Sequence, residues 1–125
     1  NCHIENDIIY CADQMLFVQM LMNLLDNAVK YTPANGRVAI GLRTALNELE
    51  IYVQNDGTGI TEEDILKIFE RFYRADKARS AGEGSGLGLA IARRVAELHK
   101  GNLTVANTDN GCCFTVKLPY YQGQL

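Results

Sequence analysis

No run of apolar residues approaches the ~20 needed to cross a bilayer, and no leader with a small-residue cleavage site opens the chain. Neither a spanning helix nor a secretory signal is expected. The basic excess of a general nucleic-acid binder is also missing: 12 Lys and Arg stand against 15 Asp and Glu, a net charge of −3. Four cysteines (Cys2, Cys11, Cys112, Cys113) have no metal-knuckle spacing, because adjacent Cys112 and Cys113 lack the intervening residues of a CxxC pair. They read as reduced cytosolic thiols. There is no GxxxxGK[ST] phosphate loop, no dinucleotide fingerprint behind a strand, no internal repeat and no low-complexity tract. What is present is ordinary globular chemistry, 47% hydrophobic and 22% charged. The 125 residues suit a single domain over 1–125 that buries roughly two-thirds of its unfolded surface and needs no disulfide. An opening on Asn1 rather than Met reads as a piece of a longer chain.

Periodicity gives the elements. A short strand is expected over 7–11, then a long helix from about Gln14, behind an N-cap at Asp13, to Tyr31, where Thr32-Pro33 stops it. Alternation at Val38, Ile40, Leu42 and again at Leu49, Ile51, Val53 predicts a hairpin turning near Asn47. Thr61 with Asp64 predicts a capped helix reaching about Arg71. A third helix is expected from Gly86 to Lys100, with Gly101 as its stop. Asp109-Asn110-Gly111 then turns a second hairpin, Leu103–Val105 against Phe114–Leu118. Strands arriving in hairpins argue against a doubly wound fold. The expected class is α+β, a two-layer sandwich of about three helices on one face of a mostly antiparallel, mixed five-stranded sheet.

The first helix carries an unusual polar set. Gln19, Asn23, Asp26, Asn27 and Lys30 fall within an arc of roughly 100°, and nearly everything else on the helix is apolar. Solvent faces favour Glu, Lys, Gln and Arg, whereas Asn costs several tenths of a kcal/mol in a helix. Two Asn four residues apart can offer two amide oxygens to one hard cation, and Lys30 adds a point charge suited to phosphate.

Six of the eleven glycines form two clusters, Gly57 with Gly59, and Gly82, Gly84, Gly86, Gly88. Asp56-Gly57 alone is usually just a turn; the functional alternative is an Asp56 carboxylate that accepts from an exocyclic amine beside glycines that admit a flat base. The second cluster runs into the third helix, where free N–H groups and the dipole favour phosphate. Five of the twelve basic residues (Lys67, Arg71, Arg74, Lys77, Arg79) precede that loop. They form either a solvated face or a set of forks for phosphate oxygens.

The order of these pieces is more specific than any one of them. Asn-Leu-Leu-Asp-Asn-Ala-Val-Lys-Tyr-Thr-Pro (23–33) resembles the N box of histidine kinases, and Asn-Asp-Gly-Thr-Gly-Ile (55–60) the G1 box. Ile-Phe-Glu-Arg-Phe-Tyr-Arg (68–74) is similar to the F box, and 84–91 to the G2 box. The resemblance covers nearly the whole chain. It implies the catalytic ATP-binding domain of a bacterial sensor histidine kinase, with the Bergerat sandwich of gyrase-type ATPases.

Carried over by position, the resemblance implies that Asn27 is the main Mg²⁺ ligand with Asn23 assisting, that Lys30 contacts phosphate, and that Tyr31 packs near the nucleotide. Asp56 would bind the adenine amine, with Gly57, Gly59 and Ile60 as pocket wall. Arg74, and after it Arg71, would reach the terminal phosphate; Gly84, Gly86, Leu87 and Gly88 would belong to the ATP lid and the helix behind it. Implied too are ATP and Mg²⁺ as ligands, a phosphoacceptor domain and a response regulator as partners, a cytoplasmic location and a membrane-anchored parent. No nucleic acid and no direct membrane contact are expected. His3 and His99 read as structural. Related ATPases carry a general-base Glu where this chain has Asn23, which cannot take a proton from water. Slow hydrolysis is therefore expected. The alternatives are a non-catalytic ATP-binding sensor or docking module, or a related ATPase of the same fold.

Overall fold

The computed structural model describes residues 2–4, 14–70 and 88–119. In chain order these form β1 (Cys2–Ile4), α1 (Gln14–Tyr31), β2 (Val38–Ala45), β3 (Glu48–Asp56), α2 (Glu62–Lys67), α3 (Gly88–Leu98), β4 (Asn102–Asn107) and β5 (Gly111–Pro119). The strands make one sheet in the order β1-β2-β3-β5-β4. β1 runs parallel to β2 and every other pairing is antiparallel, which is the mixed five-stranded sheet expected. The strand anticipated over 7–11 lies outside the described residues. The parallel edge strand is Cys2–Ile4, in register with Ile40–Leu42.

β3 and β5 are the spine. They pair over their whole length, from Glu48↔Pro119 to Asp56↔Gly111, and burial alternates strictly along β3. Period-2 geometry therefore sends Leu49, Ile51, Val53 and Asn55 to one face, together with Cys112, Phe114, Val116 and Leu118 of β5. α1 and α3 cover that face with Met20, Leu24 and Ala28 from one helix and Leu89, Ala92, Val95 and Ala96 from the other. Each large apolar side chain buried there contributes about 1.5–3 kcal/mol. The other face carries polar groups such as the Arg43–Glu50 pair at 2.9 Å. That is a two-layer sandwich with one core.

The ends of the elements follow local chemistry. Thr61 caps α2 by accepting from the Asp64 N–H at 3.1 Å, as its sequence predicts. The helix stops at Lys67; Ile68 then buries, and Phe69 sets its edge against Phe114. At the end of α3 the Gly101 N–H donates to the Ala96 carbonyl and the Lys100 N–H to that of Glu97, both at 2.9 Å. This is a Schellman closure. Its left-handed residue is Lys100 (φ 65), not the expected Gly101. Gly101 is glycine for another reason: a Cβ there would overlap the Lys117 carbonyl.

Besides its buried core stripe, α1 leaves a second apolar stripe in solvent. Met15, Val18, Met22 and Val29 are at least half exposed and fall within an arc of roughly 60°. Asn23, Asn27 and Lys30, on a different arc, are half-buried. Among the described residues no helix is long and apolar enough to cross a membrane.

Candidate nucleotide site

Four of the expected residues, two from α1 and two from the end of β3, meet at one end of the sheet. Lys30 and Tyr31, in the last turn of α1, line a cavity of about 700 Å³ with Asp56 and Gly57 from the end of β3. Asn35, Gly36, Thr58 and Asn110 complete much of its wall. Pro33 ends α1, and the Thr32 hydroxyl donates to the Ala28 carbonyl, so the chain leaves the helix beside β3.

Asn23 and Asn27 lie outside that lining, further back along the same helix. Asn23 faces the start of α3: a Cβ on Gly88 would sit 3.8 Å from the Asn23 Oδ1. Two segments far apart in sequence, the Asn-rich arc and the end of the glycine loop, are thus neighbours. The Asn23 Nδ2 is buried and has no hydrogen-bond partner among the described residues. Such a group costs about 1–3 kcal/mol when left unsatisfied, and an acceptor brought by a ligand is one way to complete it. From Asn23 to Lys30 the helix rises by roughly 10 Å, which places amide, amide and ammonium in a line.

Asp56 lines the cavity and is tied to the residue before β2. Its Oδ2 accepts from the Arg37 N–H at 3.0 Å, and its own N–H donates to the Arg37 carbonyl at 3.0 Å. The inner-face position at the end of β3 belongs to Asn55, only 4% exposed. Its Nδ2 donates to the Asp56 carbonyl at 3.0 Å, and its Oδ1 accepts from the Cys112 thiol at 3.2 Å. Burial pushes the Cys112 thiol above its ordinary pKa, with neighbouring Cys113 acting in the same direction. Periodicity alone could have flagged Asn55: it is a polar residue in register with Leu49, Ile51 and Val53.

Gly59 and Ile60 follow Thr58 in the chain and lie outside the cavity lining; Ile60 is tied to β4. The Ile60 N–H donates to the Asn107 Oδ1 and the Asn107 Nδ2 donates to the Ile60 carbonyl, both at 2.7 Å. Nothing in the sequence reading pointed to Asn107. Arg71, Arg74, Gly84, Gly86 and Leu87 fall outside the described residues.

Residues 12–122 match the family of histidine kinase-, DNA gyrase B- and HSP90-like ATPases. The chain belongs to this family. Its sandwich is the Bergerat type, and its relatives are sensor histidine kinases. It is 47% identical over 110 residues to the sensor-like histidine kinase SenX3 of Mycobacterium tuberculosis, covering 86% of this chain and 27% of that protein. The catalytic domain of histidine kinase ThkA superposes with a TM-score of 0.82 at 32% identity, over 94% of this chain and 76% of that one. ThkA in complex with the response regulator TrrA gives a TM-score of 0.77 at 29% identity, over 96% and 33%. Full-length ShkA in complex with AMPPNP gives 0.80 at 25% identity, over 99% and 26%. The chain thus spans about a quarter of the length of the sensor kinases it matches in sequence. Family and relatives together make it a histidine kinase ATP-binding catalytic domain.

Proposed function

We propose that this domain binds Mg-ATP and presents the γ-phosphoryl group to a histidine on a separate phosphoacceptor domain, upstream of a response regulator. The observation that carries this reading is the half-buried polar line of α1, Asn23, Asn27 and Lys30, which ends at the cavity although Asn is a poor helix former. The unsatisfied Asn23 amide beside Gly88 supports it, as does AMPPNP bound by the similar ShkA.

Phosphoryl transfer asks a protein mainly to position and to neutralise charge. Lys30 supplies a cation next to the cavity. Hard amide oxygens on Asn27 and Asn23 would hold Mg²⁺, which would supply positive charge against the transferred group. The start of α3 at Gly88 adds its dipole. Tyr31 and the Gly57–Ile60 turn wall the base, with Asn55 and Asp56 beside its amine. Arg74 and Arg71 remain the proposed contacts of the terminal phosphate. The imidazole acceptor is on another domain, for which the apolar line on α1 offers an edge, and the complex of the similar ThkA with response regulator TrrA supports a response regulator downstream. The parent is proposed to be membrane-anchored with this domain in the cytoplasm. Asn23 cannot serve as general base, so the isolated domain holds ATP without hydrolysing or transferring it.

Incubating the domain with radiolabelled ATP, with and without the phosphoacceptor domain of its parent, tests the reading. Label on histidine only in the mixture is expected. ATP binding with no label in either tube would make the domain a nucleotide sensor instead.

A further inference from the structure

We infer that Asn107 is a positioning residue for nucleotide binding, fixing the 57–60 turn from the β4–β5 hairpin. This role rests on the nucleotide-binding reading above, which makes that turn the wall of the base pocket. Both polar ends of the Asn107 side chain engage one backbone unit, Ile60, at 2.7 Å each, across 47 residues of sequence. Two bonds to a single residue fix orientation as well as distance, where one bond would leave a pivot. The hairpin also holds the other end of the turn, because the Gly57 N–H donates to the Asn110 carbonyl at 2.8 Å.

Gly59 shows how closely the parts are matched. Its φ of +81° favours glycine, and a Cβ there would stand 2.8 Å from the Asn107 Oδ1. The second glycine of Gly57-Thr58-Gly59 therefore answers to Asn107 as well as to any ligand.

Register extends the connection. Asn107 lies opposite Cys112, and Cys112 opposite Asn55, so the three form one row across β4, β5 and β3. Directly opposed residues of antiparallel strands share a face. One end of the row grips Ile60, and the other is the buried Asn55 amide that accepts from the Cys112 thiol. The row frames the base side of the proposed site and stands apart from the Asn27–Lys30 side, which argues that its loss weakens the hold on the base rather than on metal and phosphate.

The test compares the wild-type chain with Asn107→Ala, Asn107→Asp and Thr108→Val by calorimetry with Mg-AMPPNP and Mg-ADP, by thermal melting and by amide exchange at Ile60. Thr108→Val is the control: it alters the adjacent residue and removes a buried hydroxyl that has no partner among the described residues. Asn107→Ala is expected to weaken both ligands by the same factor, roughly five- to twentyfold, and to speed Ile60 exchange at least about tenfold, with melting shifted by only a few degrees. Asn107→Asp keeps the acceptor for the Ile60 N–H and loses the donor, so it should weaken both ligands too; it carries the test if the alanine variant does not fold. Thr108→Val should bind as wild type does. Wild-type affinity in a folded Asn107 variant, or an equal loss in Thr108→Val, would overturn the role. Failure of the wild-type chain to bind either nucleotide would overturn the nucleotide-binding reading and this role with it, and Ile60 exchange would then report on the clamp alone.

Discussion

The Asn23 side chain lies against Gly88, with 3.8 Å between its Oδ1 and the place a Cβ would occupy, so the middle of α1 touches the first residue of α3. That contact joins 65 residues of sequence into one site. It also places the Asn23 Nδ2, which has no hydrogen-bond partner among the described residues, at a helix N-terminus, where the positive dipole end favours phosphate. A helix designed only for packing would put Leu or Ala at position 23. The polar choice is intelligible when a ligand completes it.

Asn55 and Asp56 can be separated by substitution. Asp56→Asn should weaken binding of an ATP analogue more than Asn55→Ala, because Asp56 lines the cavity whereas both polar ends of Asn55 are engaged, by the Asp56 carbonyl and the Cys112 thiol. Roughly tenfold against threefold is expected from hydrogen bonds of this kind. Calorimetry showing the reverse order would move the amine contact to Asn55.

Among the described residues Phe114 is the largest fully buried side chain, on the inner face of β5 and edge-on to Phe69. Phe114→Ala should cost about 3–5 kcal/mol in urea unfolding. A loss below about 1 kcal/mol would show that the two layers are not held by this core.

Stability should depend on Cys112 in alkaline solution. Its thiol pKa is raised in the folded protein by burial, so the native state keeps a proton that the unfolded chain releases above about 8.5. The folded form is therefore favoured fully below that pH and loses the advantage as pH rises through the shifted value. Melting temperature should fall more steeply between pH 8 and pH 10 (an interval of about two units, set by the ordinary thiol range) for wild type than for Cys112→Ala. Parallel curves would contradict this.

Hydrolysis by the isolated domain should be near background, since position 23 holds an amide and not a carboxylate. A coupled phosphate-release assay checks it; brisk turnover lost in Asn23→Ala would reassign the domain to the hydrolysing branch of its family.

Much of this architecture could be read in advance, for reasons tied to period. α1 and both hairpins have clear 3.6- or 2-residue patterns and strong breakers in Pro33, Asn47 and Gly111. β1 escaped because a three-residue parallel edge strand has too little pattern to show. Lys100 took the left-handed cap because Gly101 is committed to a close approach beneath Lys117. The polar arc of α1 was legible because Asn is a poor helix former. Asn107 was not, because its partner Ile60 becomes a neighbour only through the register of β3, β5 and β4. Asn55 lay between these cases: its place in the alternation was visible, but the thiol facing it was not.

The central claim is that the amides and the ammonium on α1 hold a magnesium-bound nucleotide. Isothermal titration of Mg-AMPPNP into the wild-type chain and into Asn27→Ala, each repeated with EDTA, tests it most directly. The account predicts one-site binding that weakens when Mg²⁺ is removed, and an Asn27→Ala variant that melts like wild type but binds at least about tenfold more weakly with the metal present. Equal affinity in the two proteins, or no binding by a folded wild-type chain, would contradict it.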